Sequence, residues 1–247
     1  MAGLLTMLSR SKKTASCSAV VVAAGSARRM GGIDKILTNL GELPVIVHTL
    51  YAFQDCPAFQ EVVVVTREDL LEKIGALCRE YHLSKVRKVI VGGAERINSV
   101  QAGLQEVDPS ADLIAIHDGA RPLVTRQVLE TAVAKAAETG AAAPAIPVID
   151  TIKRAEKELA VATVDRSALR AVQTPQVFES GLIRAALAKA VEDGETLTDD
   201  CAAVERLGMK VSLTEGSREN IKITTPSDFY VFRALSDARE NSQIFGF

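Results

Sequence analysis

The chain has 247 residues, of which 47% are hydrophobic and 24% charged, and its formal net charge is −2. That length is enough for one α/β domain with a sizeable buried core, and the balance is that of an ordinary soluble globule. With no basic stripe, no aromatic ladder and no apolar run of membrane-spanning length, the sequence excludes a nucleic-acid surface and predicts no membrane insertion.

Residues 1–17 begin MAGLLTMLSRSKKTAS, where a short apolar patch precedes the basic residues. A secretory signal has the opposite order and a longer apolar core, so a flexible amino terminus is expected. One domain is expected over residues 18–240. Cys17, Cys56, Cys78 and Cys201 are scattered, with no C-x-x-C pair. They read as reduced packing residues of a cytoplasmic protein.

Val20 to Ala24 is apolar at every position, as in a strand covered on both faces of a parallel sheet. Gly25 ends it. From there to Gly32 the residues are small or glycine, with Arg28, Arg29 and then Lys35 adding positive charge. Backbone N–H groups in such a loop can line up on an anion, and α/β sheets place phosphates at strand carboxyl ends. The G-x-x-x-x-G-K-[ST] ending is missing, and Ala27 and Met30 stand where a G-x-G-x-x-G loop has glycine. The competing reading is a surface loop with solvated arginines.

Pro44 suits the first turn of a helix with Val47, Leu50 and Tyr51 on one face; Glu61 to Thr66 is a second strand. Residues 68–80 carry apolar side chains at helical spacing, and Val86 to Val91 is a third strand. This alternation predicts a parallel sheet with right-handed crossovers and its ligand crevice at the carboxyl ends of the strands. The third strand runs into Gly92-Gly93-Ala94-Glu95-Arg96, with Ser99 near the start of the next helix. The glycines let a planar base lie on the backbone and Ser99 reach its edge; a tight strand-to-helix turn explains the same residues. The fourth strand, Leu113 to Ile116, runs into His117-Asp118-Gly119-Ala120-Arg121-Pro122. Asp118 would repel phosphates unless Mg²⁺ intervened, and pairing with Arg121 is the structural alternative. His117 reads as a satisfied loop histidine.

Thr125 caps the next expected helix, and Ala141 to Val148 is extended and apolar. Asp150 to Arg154 and Leu159 to Val164 flank a polar turn, which predicts a projecting β-arm over about residues 147–170. Such a ribbon is marginal alone, so a second subunit is its expected support. Asp199 and Asp200 read mainly as helix capping. Lys210 to Thr214 and Asn220 to Thr224 are expected strands, the latter carrying Lys222 towards surface or anion. Thr225, Pro226 and Asp228 then start the last helix, and Asn241 to Phe247 reads as an untethered end.

The motifs AAGSARRM with Lys35, GGAERINSV, HDGARP, DTIKRA, VDR, QTPQVF, TDD and NIKITTPSD stand in this order. With them the chain resembles the 2-C-methyl-D-erythritol 4-phosphate cytidylyltransferase family, over essentially residues 18–235. The resemblance implies a Rossmann-like nucleotidyltransferase fold with helices on both faces of the sheet, a homodimer through the arms, and a Mg²⁺-dependent reaction of CTP in non-mevalonate isoprenoid synthesis. It implies cytosine contacts at Ala23, Ala24, Gly93 and Ser99, with Gly25 also on the nucleotide side. It places Arg29 and Lys35 on the triphosphate, Asp118 on the metal and Lys222 on the α-phosphate. Thr151 and Arg166 would bind the methylerythritol phosphate from the partner's arm, and Thr174 falls on the phosphate side.

Three positions depart from the family pattern: Ala27 replaces the usual glycine, Asp34 stands where proline commonly precedes the lysine, and Ala94 replaces an acidic or polar residue. The nearest rival is an enzyme of the same fold acting on another alditol phosphate such as ribitol 5-phosphate. A catalytically inactive nucleotide-binding protein is opposed by the presence of every cationic position and Asp118. A nicotinamide-dependent reductase is opposed by the missing glycine fingerprint.

Overall fold

β-branched runs build the middle of the sheet, because a strand covered on both faces has no solvent side to reward polar residues. In the computed structural model, which describes residues 15–25 and 34–245, the chain begins with β1 (Cys17–Val22). A small ladder of β2 (Asn39–Leu40) and β3 (Leu43–Pro44) leads into α1 (Val45–Gln54). Then come β4 (Phe59–Thr66), a 3-10 turn (Glu68–Leu70), α2 (Leu71–Glu80), β5 (Val86–Val91), α3 (Arg96–Glu106) and β6 (Leu113–Asp118). The second half holds α4 (Arg126–Thr139), β7 (Ala141–Pro147), the hairpin β8 (Lys153–Glu156) and β9 (Leu159–Thr163), β10 (Arg170–Val172) and β11 (Gln176–Glu179). It closes with α5 (Ser180–Glu192), α6 (Asp200–Arg206), β12 (Ser212–Glu215) and α7 (Pro226–Phe245).

The main sheet has the order β10-β7-β11-β6-β1-β4-β5, with β12 also paired to β7. β1 lies between β4 and β6, parallel to both, with Val20 opposite Val63 on one side and Ile116 on the other. β5 continues in parallel beyond β4. The expected mostly parallel sheet is therefore present, with β11 inserted antiparallel between β6 and β7. One core packs α1, α2, α4 and α7 on one face of the sheet, and a second packs α3, α5 and α6 on the other. Gly103 lets α3 lie close on the sheet: a Cβ there would meet Val20 Cγ1 at 2.5 Å.

Three expectations need correction. Asn220 to Thr224 is not a strand; its backbone is tied instead by Ile223 N–H donating to the Ala120 carbonyl at 2.8 Å. A segment that crosses the strand ends cannot join their ladder, so its apolar-polar alternation misleads. Asn241 to Phe247 is not simply a loose end, since α7 continues to Phe245. The helix expected over 68–80 starts as the 3-10 turn, and the α-helix proper begins at Leu71.

The arm expected from the sequence is visible as β8 and β9, paired antiparallel and solvent-exposed along almost every residue. Leu159 at the start of β9 is 73% exposed and Ile149, ahead of β8, 59%.

Candidate active site at the carboxyl ends of the strands

Parallel strands deliver their following loops to one edge of the sheet, and here four of them do so. β1 ends in Ala23, Ala24 and Gly25; β4 in Thr66 and Arg67; β5 in Gly92 and Gly93; β6 in Asp118. All of these line one cavity of about 830 Å³, together with Lys35, Arg96, Ser99, Lys222 and Thr224. A hollow of about 960 Å³ between α2 and β5 is more open and gathers no strand ends. The crevice rule for α/β sheets selects the former.

Asp118 is the electrostatic centre. Its Oδ2 takes Lys222 Nζ at 2.9 Å and Arg121 Nε at 3.3 Å. Burial works to raise this carboxyl, but Lys222, Arg121 and Arg96 overcome it and hold the group well below the usual carboxylate range. Asp118 therefore makes the structural pair with Arg121 and also lines the cavity. Lys35 Nζ donates to the Ile223 carbonyl at 2.8 Å, so it is tied to the segment that carries Lys222. Arg121 fastens the same segment through the Asn220 carbonyl at 2.7 Å.

Behind Asp118 sits a buried relay. The Asp118 N–H donates to Thr174 Oγ1 at 3.1 Å, which lies 3.0 Å from His117 Nδ1; His117 Nε2 lies 3.4 Å from the Arg121 carbonyl. A carbonyl needs a donor, so Nε2 carries the proton and Nδ1 accepts from the Thr174 hydroxyl. Thr174 is 4% exposed and its hydroxyl is committed to this relay, so it supports the Asp118 backbone rather than lining the cavity as a phosphate contact. β11 runs antiparallel beside β6, and the segment leading into it turns Thr174 inward.

Burial pushes the His117 imidazole down from 6.5 to about 3. The unfolded chain takes up this proton near 6.5 and the folded ring only near about 3, so stability is lost progressively as pH falls through that window. The urea midpoint of the native chain is expected to drop between about pH 7 and about pH 5, with a flatter profile in His117→Asn. Equal slopes in the two chains would remove His117 as the cause.

On the base side, the capping box of α3 joins Glu95 and Asn98, and Ser99 Oγ donates to the Glu95 carbonyl at 3.1 Å. A Cβ on Gly93 would meet Asn98 Cβ at 2.3 Å, and one on Gly92 would meet Ser99 Oγ at 2.6 Å. The paired glycines are thus required by the close approach of this loop to α3, which also leaves a bare backbone edge on the cavity. Ser99 lines the cavity with its hydroxyl oxygen still able to accept.

A model of the family described as 2-C-methyl-D-erythritol 4-phosphate cytidylyltransferase matches residues 17–236. The chain belongs to this family. Among relatives carrying that name, the protein of Symbiobacterium thermophilum is 44% identical, with 88% of this chain and 92% of that protein covered. The protein of Alkaliphilus metalliredigens is 40% identical, with 91% of this chain and 94% of that protein covered. The crystal structure of the cytidylyltransferase from Thermus thermophilus superposes with a TM-score of 0.74 at 33% identity, covering 88% of this chain and 98% of that one. The 4-diphosphocytidyl-2C-methyl-D-erythritol synthase of Anaerococcus prevotii reaches a TM-score of 0.80 at 28% identity, covering 91% and 97%.

Of the residues that the family resemblance marks, Ala23, Ala24, Gly25, Lys35, Gly93, Ser99, Asp118 and Lys222 are brought together around the cavity. Arg29 lies outside the described residues. Thr151 and Arg166 sit on the exposed arm, Arg166 donating to the Ile149 carbonyl, and neither is part of the cavity lining of the same chain.

Sequence reasoning missed Arg96, Arg67 and Thr66. Arg96 forks onto buried Asp200 at 2.8 and 2.6 Å, which links α3 to the start of α6. Its signal was present in the first position of a helix facing a phosphate crevice. Thr66 Oγ1 is buried with no hydrogen-bond partner among the described residues. Nothing in the run of valines before it singles it out.

Proposed function

We propose that this chain joins CTP to 2-C-methyl-D-erythritol 4-phosphate, giving 4-diphosphocytidyl-2-C-methyl-D-erythritol and pyrophosphate in non-mevalonate isoprenoid synthesis. The observation that carries the reading is the convergence of Lys35, Lys222 and Asp118 on one cavity at the ends of parallel strands, in a chain of this family. The phosphate of the acceptor is ionised at neutral pH and needs no general base. One of its oxygens bonds to the α-phosphorus of CTP as the bond from that phosphorus to the bridging oxygen of the β-phosphate breaks, and pyrophosphate leaves with the electron pair. The obstacle is repulsion between two anions. Fixed cations address it: Lys35 and Lys222 stabilise charge on the α-phosphate oxygens, with Arg29 assigned by the resemblance alone.

No cluster of three His, Cys, Asp or Glu side chains able to cage a metal occurs among the described residues. A single carboxylate ligand such as Asp118 suits Mg²⁺, which keeps waters and takes substrate phosphate oxygens as its other ligands. Asp118 would hold it, and the ion would neutralise charge on the triphosphate. The cytosine would lie against Ala23, Ala24 and the Gly93 backbone, with Ser99 on its edge.

The acceptor phosphate would be held by Thr151 and Arg166 of a second copy. The exposed apolar face of the arm, and the absence of both residues from the cavity of their own chain, support a homodimer in which each arm completes the other's site. Four cysteines buried as free thiols support a cytoplasmic setting. No helix among the described residues is long and apolar enough to cross a membrane.

Pyrophosphate release assayed with CTP and either methylerythritol phosphate or ribitol 5-phosphate tests the reaction, with turnover expected for the first acceptor. Preference for ribitol 5-phosphate would reassign the acceptor, and no turnover with either would overturn the assignment. Mixing Arg166→Ala and Lys35→Ala chains tests the shared site. Hybrid dimers with one intact site are expected to recover up to about a quarter to a half of native activity if the arms act across the interface. An inactive mixture of chains shown to exchange would argue for sites built within one subunit.

A further inference from the structure

Asp34, the departure immediately before Lys35, does not hang in solvent. Its Oδ2 receives Arg67 NH2 at 2.6 Å, while its Oδ1 receives the Ile36 N–H at 3.4 Å. Its backbone carbonyl accepts from Leu37 N–H, Thr38 N–H and the Thr38 hydroxyl at 3.1, 3.1 and 3.0 Å. Asp34 is thus the first residue of the turn that carries Lys35, and its side chain both caps that turn and anchors it to the end of β4.

The guanidinium that holds it is used along its whole edge. Asp69 takes Nε and NH2, each at 2.9 Å, which fixes the plane of the fork. The remaining NH2 hydrogen reaches Asp34, and NH1 donates to the Gly25 carbonyl at 3.2 Å. Gly25 ends the loop-ward extension of β1, and Asp34 opens the turn on the far side. One side chain therefore ties Gly25, at the end of β1, to Asp34, the residue just before Lys35, at the wall of the cavity that Arg67 itself lines. A planar fork with five donors can bridge three acceptors in fixed directions; a single ammonium cannot.

We propose that Arg67 is a positioning residue for nucleotide transfer, bridging Gly25 and Asp34 so that the turn bearing Lys35 is held against the triphosphate site. The inference rests on the reading of Lys35 given above and deepens it. In this reading Arg67 acts through the placement of Lys35. In this chain the arginine and the aspartate supply as an ion pair the stiffness that a proline before the lysine would supply through its fixed φ.

The test is a double-mutant cycle read in kcat and KM for CTP and for the acceptor. Arg67→Ala is expected to lower kcat/KM for CTP on the order of 10-fold, below the ~10² that a displacement of ~1 Å can cost, with KM for the acceptor unchanged. Arg67→Lys, which keeps the charge and loses the fork, is expected to behave like Arg67→Ala. In a Lys35→Ala background, Arg67→Ala is expected to add less than about 2-fold, because the residue through which it acts is gone. A merely structural role would give the same loss in both backgrounds, and that additivity would overturn the proposal, as would native kinetics in Arg67→Ala or Arg67→Lys. Lys35→Ala alone separates the two layers. If it is itself near native, the reading of Lys35 fails and this inference with it. If it is impaired while the Arg67 effect is absent or additive, only the bridging role fails.

Discussion

The Lys222→Ala variant is expected to turn over at least ~10²-fold more slowly than the native chain while retaining its fold, the size associated with losing one preorganised charge contact in a transition state. Lys222 Nζ lies 2.9 Å from Asp118 Oδ2, which holds it at the wall of the cavity. Its removal leaves Asp118 still paired with Arg121, which is why the backbone of the HDGARP segment should survive. Lys35→Ala is expected to give a loss of the same order, since its ammonium is fixed on the neighbouring Ile223 carbonyl. The measurement is steady-state pyrophosphate release, with thermal unfolding as the control for folding. Turnover within a few-fold of native in both variants would mean that the cations do not carry the chemistry, and the electrostatic account of the site would have to be abandoned.

The second large effect is on stability. Asp200 is 1% exposed and receives both forks of Arg96, at 2.8 and 2.6 Å. Burial pushes its carboxyl up, and the bond to Arg96 is what offsets this. Asp200→Ala leaves the guanidinium without the carboxylate it forks onto. Breaking a buried pair from one side typically costs ~3–5 kcal/mol, and because Arg96 keeps 30% side-chain exposure and can turn towards water, the lower end, about 3 kcal/mol, is expected. Since Arg96 lines the cavity, the same change should also raise KM for CTP. Urea unfolding measures the first effect, and a loss below about 1 kcal/mol would show that the pair is solvated enough to be dispensable. The adjacent Asp199 accepts from Ala202 N–H as the cap of α6 and is expected to contribute only about 1 kcal/mol.

The parts of this molecule that were legible in the sequence are those in which a residue's own chemistry limits its environment. The valine runs of β1 and β4 admit little but a strand covered on both faces, and the paired glycines after β5 admit little but a close backbone approach. Thr125 marked the start of α4, where its side chain accepts from Val128 N–H. The order of eight short motifs carried the family, and with it Lys35, Asp118 and Lys222 as site residues. Asp199 and Asp200 show the limit of that reasoning. Both fit a helix start equally well as letters, yet one caps the helix and the other is buried against an arginine 104 positions earlier in the chain.

Composition and local pattern by themselves determined a mostly parallel α/β sheet, the edge where its strand ends open a crevice, and a two-stranded ribbon. Only the folded chain decided which polar groups meet. That Asn220 to Thr224 crosses the strand ends rather than joining them, that Thr174 turns in to His117, and that Asp34 finds Arg67 are consequences of long-range packing. The reason is physical: burying an apolar face is an additive preference that each segment expresses alone, whereas a hydrogen bond or ion pair has direction and needs a partner whose position is set by every element between the two.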